Sequence, residues 1–198
     1  MEQVRNEIKR AVIRKERLNV NYNETLSESN YTNSVAKNCD QVVHSDLKDT
    51  FRKLKLHLVF LCEQPESNLI NKDSFNSPGF HETLPNYVMN GYSHDSIDGI
   101  SGVTLFGQKL LNSGKVIDLK IFAPLHDDTY PYYDELDLDI KACDWEVEEY
   151  LFNGKWGIKQ ETLDFETDEP EEANLKPEPK TKGRSKKVKE LSQLDAIA

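Results

Sequence analysis

One turn, Asn112-Ser113-Gly114, constrains the fold of this chain more than any other feature, because it joins two segments of alternating apolar and polar residues. Three-residue turns that end in glycine connect antiparallel strands, since glycine readily adopts the positive φ required there. The turn pairs a strand at 102–110 with a strand at 115–123 and places Phe106 opposite Lys120. One face of this hairpin must then be core, and it carries Val103, Leu105, Ile117, Leu119 and Ile121.

The N-terminal part of the chain predicts a β-hairpin followed by a helix. Apolar and polar residues alternate across 7–24 around a turn at Arg14-Lys15-Glu16, and the Asn-, Ser- and Thr-rich stretch 23–38 predicts a loop with a short strand near 31–35. Residues 40–63 predict a helix with Asp40 as its N-cap. Its apolar residues recur every three or four positions and form one stripe of Val43, Leu47, Phe51, Leu54, Leu58 and Leu61.

The C-terminal part predicts one more strand before the hairpin and a second helix after it. A long loop at 64–82 leads to a strand at 84–92, which completes a three-stranded antiparallel meander with the hairpin. The second helix, 131–152, ends before Asn153-Gly154, which is typical of a helix C-terminus. Residues 156–165 could add an edge strand.

These elements predict a single α+β domain over residues 1–165, with both helices packed on one face of the sheet. Residues 166–198 are first acidic and then basic, with few apolar side chains. Such a segment cannot bury enough apolar surface to offset its chain entropy, so a disordered tail is expected. The sequence contains no internal repeat.

Composition excludes several classes of function. The 198 residues carry a net charge of −10, so any contact with nucleic acid needs a local basic patch. Three cysteines without CxxC spacing do not indicate a disulfide scaffold, and no signal peptide or bilayer-spanning apolar run is present, so a cytoplasmic protein is expected. Phosphate-loop, dinucleotide-binding, zinc-protease and nucleophile-elbow motifs are absent, which favours a binding protein over an enzyme and predicts no cofactor.

The outer face of the central hairpin is the first candidate site, where Thr104 lies opposite Phe122. Aromatic rings beside a lysine are typical of platforms that stack single-stranded nucleic acid, although a second layer of structure could equally cover them. The residues expected to bind are Phe106, Gln108, Lys120 and Phe122, together with the tail cations Lys182, Arg184, Lys186 and Lys187. The tail could instead serve only to keep the chain soluble.

The second candidate is the solvent face of the second helix, which is strongly acidic. Asp134, Asp137, Asp144 and Glu148 lie on it and could mimic DNA phosphates, so that the helix engages a basic host factor. A solvated helix face is the simpler interpretation of the same pattern.

The third candidate is a metal site for a hydrolase. His94 and Asp95 follow the predicted strand 84–92, while His126 and Asp128 follow 115–123, so the two pairs are expected at one end of the sheet. Imidazole and carboxylate groups bind divalent metals, although polar residues at strand ends are common without one. The pairs Cys39/His44 and His57/Cys62 do not form a site, because residues five apart point to different sides of a helix.

Several stretches resemble an uncharacterised family of small proteins encoded by phages and integrated elements of gut bacteria. They are NCDQVVHSDLK at 38–48, LCEQP at 61–65, GVTLFGQK at 102–109 and EVEEYLFNGKWGIKQ at 146–160. The resemblance spans residues 7–165 and implies no role for any residue. It implies an accessory protein of a mobile element in a bacterial cell, acting in DNA replication, recombination or interference with the host.

Overall fold

The computed structural model describes residues 4–26, 31–77, 79–125 and 130–157. It confirms the α+β fold as a six-stranded antiparallel sheet with the strand order β3-β2-β1-β4-β5-β6. The strands are β1 Val4–Arg14, β2 Arg17–Leu26, β3 Tyr31–Val42, β4 Tyr87–Ile97, β5 Ile100–Leu110 and β6 Val116–Pro124. The α-helices are α1 Ser45–Leu61, α2 Lys72–Asn76 and α3 Tyr133–Phe152.

The topology repeats although the sequence does not. Three strands followed by a long helix occur twice, as β1-β2-β3-α1 and as β4-β5-β6-α3. The halves meet where β1 and β4 pair, with Ala11 opposite Tyr92, and the strand order is symmetric about this pair. Each half therefore contributes one edge strand, and the β1-β2 and β4-β5 turns occupy equivalent places in the sheet.

The predicted register of the central hairpin is confirmed. Phe106 pairs with Lys120 and Thr104 with Phe122, and the backbone N–H of Leu111 donates to the carbonyl of Lys115 at 2.8 Å. Gly114 adopts a φ of 76°, as a turn of this type requires.

The predicted loop at 23–38 is wrong for most of its length, because β2 and β3 occupy it, but the short strand expected near 31–35 is present as part of β3. β3 forms one edge of the sheet, and most of its side chains are exposed. An edge strand that buries almost nothing has no need for apolar alternation, so its sequence resembles that of a loop.

The first helix begins later than predicted, at Ser45, because Asp40 still belongs to β3. The N-cap is His44, whose Nδ1 accepts a hydrogen bond from the backbone N–H of Leu47 at 3.2 Å. The predicted loop 64–82 contains α2 and two short 3₁₀ helices, Pro65–Leu69 and Phe80–Thr83.

β4 extends five residues beyond the predicted end of its strand. It continues to Ile97 and connects to β5 through Asp98-Gly99, whose φ angles are 53° and 80°. An Asp-Gly pair between two strands indicates a tight hairpin, and the prediction missed this signal.

The core lies between the inner face of the sheet and the helices α1 and α3. Inner-face residues such as Val20, Tyr92 and Leu105 pack against the stripes of both helices in one buried cluster. Leu119 and Ile121 pack against this cluster as predicted, but Ile117 is 45% exposed, so its assignment to the core is wrong. Ile117 lies near the turn on the edge strand β6, where packing is incomplete.

Two predictions reach beyond the described residues. Of the predicted edge strand at 156–165, the described part shows one bridge, between Val43 and Trp156. The remainder of that segment and the predicted tail at 166–198 lie outside the described residues.

Candidate nucleic-acid interface

The outer face of the sheet leaves both aromatic rings of the central hairpin accessible. Phe106 and Phe122 are half-buried, and neither belongs to a hydrophobic cluster of the described chain. The helices pack on the opposite face, so no helix seals the two rings. Thr104 also lies on the outer face but is buried among its neighbours.

Two cations flank the ring of Phe106. The Arg10 guanidinium carbon lies 4.9 Å from the ring centroid, and the Lys120 ammonium nitrogen lies 5.6 Å from it. Both distances allow cation–π attraction. Lys120 is the direct cross-strand partner of Phe106, whereas Arg10 comes from β1, two strands away.

Small residues on the intervening strand explain how Arg10 reaches the ring. β4 carries Gly91 between Val12 and Phe106, and Ser93 between Arg10 and Thr104. A Cβ added at Gly91 would collide with the backbone of β1, so glycine is required where the two halves of the sheet meet. Arg10 was not predicted from the sequence, because its proximity to Phe106 depends on pairing between distant segments.

A groove of about 650 Å³ surrounds Phe106. Its lining includes four cations and one carboxylate, namely Arg10, Arg14, Lys15, Lys120 and Asp118. Gln108, a predicted binding residue, also lines the groove and donates its side-chain N–H to Asp118 at 2.8 Å. The groove therefore provides the local basic patch that an acidic protein needs to bind a polyanion.

The ring of Phe122 rests on the backbone of β5. A Cβ added at Gly102 would collide with this ring, so glycine leaves the space that the ring occupies. Glycine within a strand often marks such a close approach, and this was the available sequence signal. Gly102 thereby orients Phe122 on the same face as Phe106.

A second basic pocket opens on the helix side, where β1 and β4 diverge. It has a volume of about 450 Å³, and Lys48, Arg52 and Lys55 of α1 contribute to its lining. Ile13 lines both this pocket and the Phe106 groove. The ammonium of the buried Lys55 donates to the carbonyls of His81 and Leu84 at 3.1 and 3.3 Å, and burial lowers its pKa.

The acidic helix α3 uses several of its carboxylates inside the protein. Asp144 accepts hydrogen bonds from Tyr92 at 2.6 Å and His94 at 3.0 Å, and Asp137 pairs with Lys141 at 2.6 Å. Asp134 is exposed, whereas burial raises the pKa of the half-buried Glu148. The structure thus commits Asp144 to contacts inside the protein, whereas the Asp137–Lys141 pair lies on the exposed surface of the helix.

The predicted metal ligands His94 and Asp95 do not follow a strand but lie within β4. Successive residues of a strand point to opposite faces. His94 accordingly contacts α3 on the inner face, whereas Asp95 accepts a hydrogen bond from the Ser93 hydroxyl at 2.8 Å on the outer face. They cannot bind one ion together, and His126 and Asp128 lie outside the described residues.

Another group of possible ligands, His44, Asp46 and Glu146, already holds a cation. The Lys155 ammonium lies 2.8 Å from both carboxylates, and its hydrogen bonds to them raise the pKa of Lys155 to about 12. His44 accepts a backbone N–H at Nδ1, so its neutral ring carries the proton on Nε2, the atom nearest Glu146. The arrangement fits an internal ion pair and leaves no ligand nitrogen for a metal.

No protein-family model, no curated protein and no solved structure matches this chain. Among the segments that the structure describes, none of the helices combines the length and apolar content needed to cross a membrane.

Proposed function

We propose that this chain binds single-stranded nucleic acid on the outer face of its sheet, as a non-enzymatic accessory protein of phage or mobile-element DNA metabolism. One observation carries the proposal: Phe106 lies between Arg10 and Lys120 in a groove lined by four cations and one carboxylate. On a chain of net charge −10, this concentration of positive charge around an aromatic ring is a specific feature.

The chemistry of the groove suits single strands. Cations along a groove attract the phosphate backbone, and an aromatic ring or an arginine plane offers a stacking surface for an unpaired base. Bases within a duplex already stack on one another and are not available to Phe106. The proposed strand therefore places a phosphate near each of the four groove cations and a base against Phe106.

Fluorescence anisotropy with a labelled single-stranded oligonucleotide tests this proposal. Phe106→Ala is expected to cost about 1–3 kcal/mol of binding free energy, the range measured for loss of one base–aromatic stack. Trp145→Ala is a matched control, because Trp145 is an exposed aromatic residue on α3, away from the groove. Equal affinities for wild type and Phe106→Ala, or no binding at all, would contradict the proposal.

A matched pair of lysine variants tests how much the groove charge contributes to oligonucleotide binding. Lys120→Ala removes a groove cation and should weaken binding, whereas Lys141→Ala removes an exposed α3 cation and should not. A similar loss in both variants would mean that net charge, not the groove, determines affinity.

A second candidate function, binding of a basic protein through α3, is supported by exposed apolar side chains on that helix. Leu138 and Trp145 are 65% and 61% exposed, and Phe152 lies a further seven residues along the helix. Residues seven apart share a helix face, so these side chains form an apolar stripe beside the acidic residues. Such stripes anchor amphipathic partner helices, and an exposed tryptophan is a common anchor.

Pull-down with a basic amphipathic peptide separates the two candidates. Trp145→Ala should abolish peptide capture and leave oligonucleotide binding intact, whereas Phe106→Ala should do the reverse. Loss of both activities in either variant would contradict the assignment of separate surfaces.

A further inference from the structure

The two edges of the sheet differ in chemistry. β3 exposes mostly polar residues along its edge, whereas β6 carries the aliphatic side chains Val116, Ile117, Leu119 and Ile121. Val116 and Ile117 are 55% and 45% exposed, and the described chain pairs β6 on one side only, with β5. Long apolar edge strands associate with other strands unless charges or coverage prevent it.

The sequence of β6 is complementary to itself when two copies run antiparallel with Leu119 at the centre. Asp118 of each copy then faces Lys120 of the other, on the outer side of the sheet. On the inner side, Ile117 faces Ile121 of the second copy, and Leu119 faces its own equivalent. Every directly opposed pair is thus either oppositely charged or apolar, which stabilises cross-strand pairing.

Neighbouring registers lose this match. Centring the pair on Asp118 places the two aspartates opposite each other, and centring it on Lys120 opposes the two lysines. Like charges directly opposite each other destabilise a strand pair. The charges therefore favour the register centred on Leu119 over the registers centred on Asp118 and on Lys120.

We infer that β6 pairs with β6 of a second copy of this chain, forming a two-fold homodimer with one continuous sheet. The two-fold axis is perpendicular to the sheet, so both outer faces lie on the same side. The Phe106 grooves of the two copies then share one surface, with Lys120 and Phe122 near the junction. The inference concerns assembly and stands whether or not the grooves bind nucleic acid.

Sedimentation equilibrium of the full chain without nucleic acid tests the dimer through a charge exchange. Asp118→Lys and Lys120→Asp should each weaken dimerisation about tenfold, because each places like charges opposite one another twice. The double variant restores opposite charges and should return the dissociation constant to near the wild-type value. Lys37→Asp, the same change on the other edge strand, should have no effect.

Disulfide crosslinking supplies a second readout that does not depend on charge. Leu119→Cys lies on the proposed axis, so two copies should crosslink under mild oxidation, whereas Ile117→Cys faces position 121 and should remain uncrosslinked. A monomeric wild type, a double charge variant no better than the single ones, or equal crosslinking at both positions would overturn the inference.

Discussion

At the scale of single residues, a completely buried histidine ties the two long helices together. The Nε2 atom of His57 lies 3.2 Å from an oxygen of Asp139 on α3, and its Nδ1 atom lies 2.6 Å from the hydroxyl of Tyr130. The ionised aspartate accepts from Nε2–H, so Nδ1 accepts from the tyrosine hydroxyl, and the ring is neutral. Burial lowers the pKa of His57, an effect that outweighs the opposing influence of Asp139 and Glu135, and burial raises the pKa of Tyr130.

We therefore expect acid to destabilise the protein through His57. The unfolded chain has the higher histidine pKa, near 6.5, so it binds the proton first as pH falls. The free energy of unfolding should then decrease below about pH 6.5, by up to about 1.4 kcal/mol per pH unit for this residue. His57→Gln should flatten this slope in urea unfolding between about pH 7.5 and about pH 5.

His44 and His81 also have pKa values lowered by burial, so part of the slope should remain in the variant. An unchanged slope in His57→Gln would show that His57 is not held neutral by the fold.

At the scale of elements, the two halves of the sheet contain equivalent hairpin turns with very different sequences. Asp98-Gly99 connects β4 to β5, and Lys15-Glu16 connects β1 to β2. All four residues have positive φ, with values of 48° and 64° for Lys15 and Glu16. This conformation suits Asp-Gly but strains residues with long side chains, and the strained turn presents Lys15 to the groove.

Replacing Lys15-Glu16 with the Asp-Gly sequence of the β4-β5 turn should raise stability and weaken nucleic-acid binding. The double variant Lys15→Asp with Glu16→Gly is expected to raise the free energy of unfolding by about 1 kcal/mol, because the backbone strain is relieved. The same variant should bind oligonucleotide more weakly, since Lys15 lines the groove. Denaturant unfolding and anisotropy measure the two effects.

Gly99→Ala provides the control, because a Cβ at this position has no neighbour within 4 Å. Its cost, about 1 kcal/mol, should come from the backbone alone. A double variant less stable than wild type would mean that the Lys15-Glu16 turn carries no strain.

The elements also show which parts of the fold were accessible from the sequence. The register of β5 and β6 was predictable because a glycine turn and an aliphatic alternation agree. β3 was not, because an exposed edge strand has no apolar pattern. Phe106, Gln108, Lys120 and Phe122 were identified locally, whereas Arg10 enters the site only through the long-range pairing of β1 with β4.

At the scale of the whole molecule, the groove cations and the carboxylates of α3 lie on opposite sides of the sheet in the described domain. This separation can orient a polyanion toward the groove and away from α3.

Affinity for single strands should therefore fall steeply with salt. If the four groove cations each neutralise one phosphate, the logarithm of the association constant should decrease with the logarithm of salt concentration with a slope of about −3. Arg10→Ala should reduce the magnitude of this slope by about 0.7. Titrations at several salt concentrations measure it, and a slope unchanged in Arg10→Ala would locate the ionic contacts outside the groove.

Mapping where a single strand touches the protein tests directly whether the outer face of the sheet binds nucleic acid. A bromodeoxyuridine-substituted oligonucleotide is crosslinked to the full chain by ultraviolet light, and the modified peptides are identified by mass spectrometry. Binding on the outer face should give crosslinks in β5 and β6, at or beside Phe106 and Phe122. Crosslinks confined to α3 or to the cations at 182–187, with none on the sheet, would rule out this binding site.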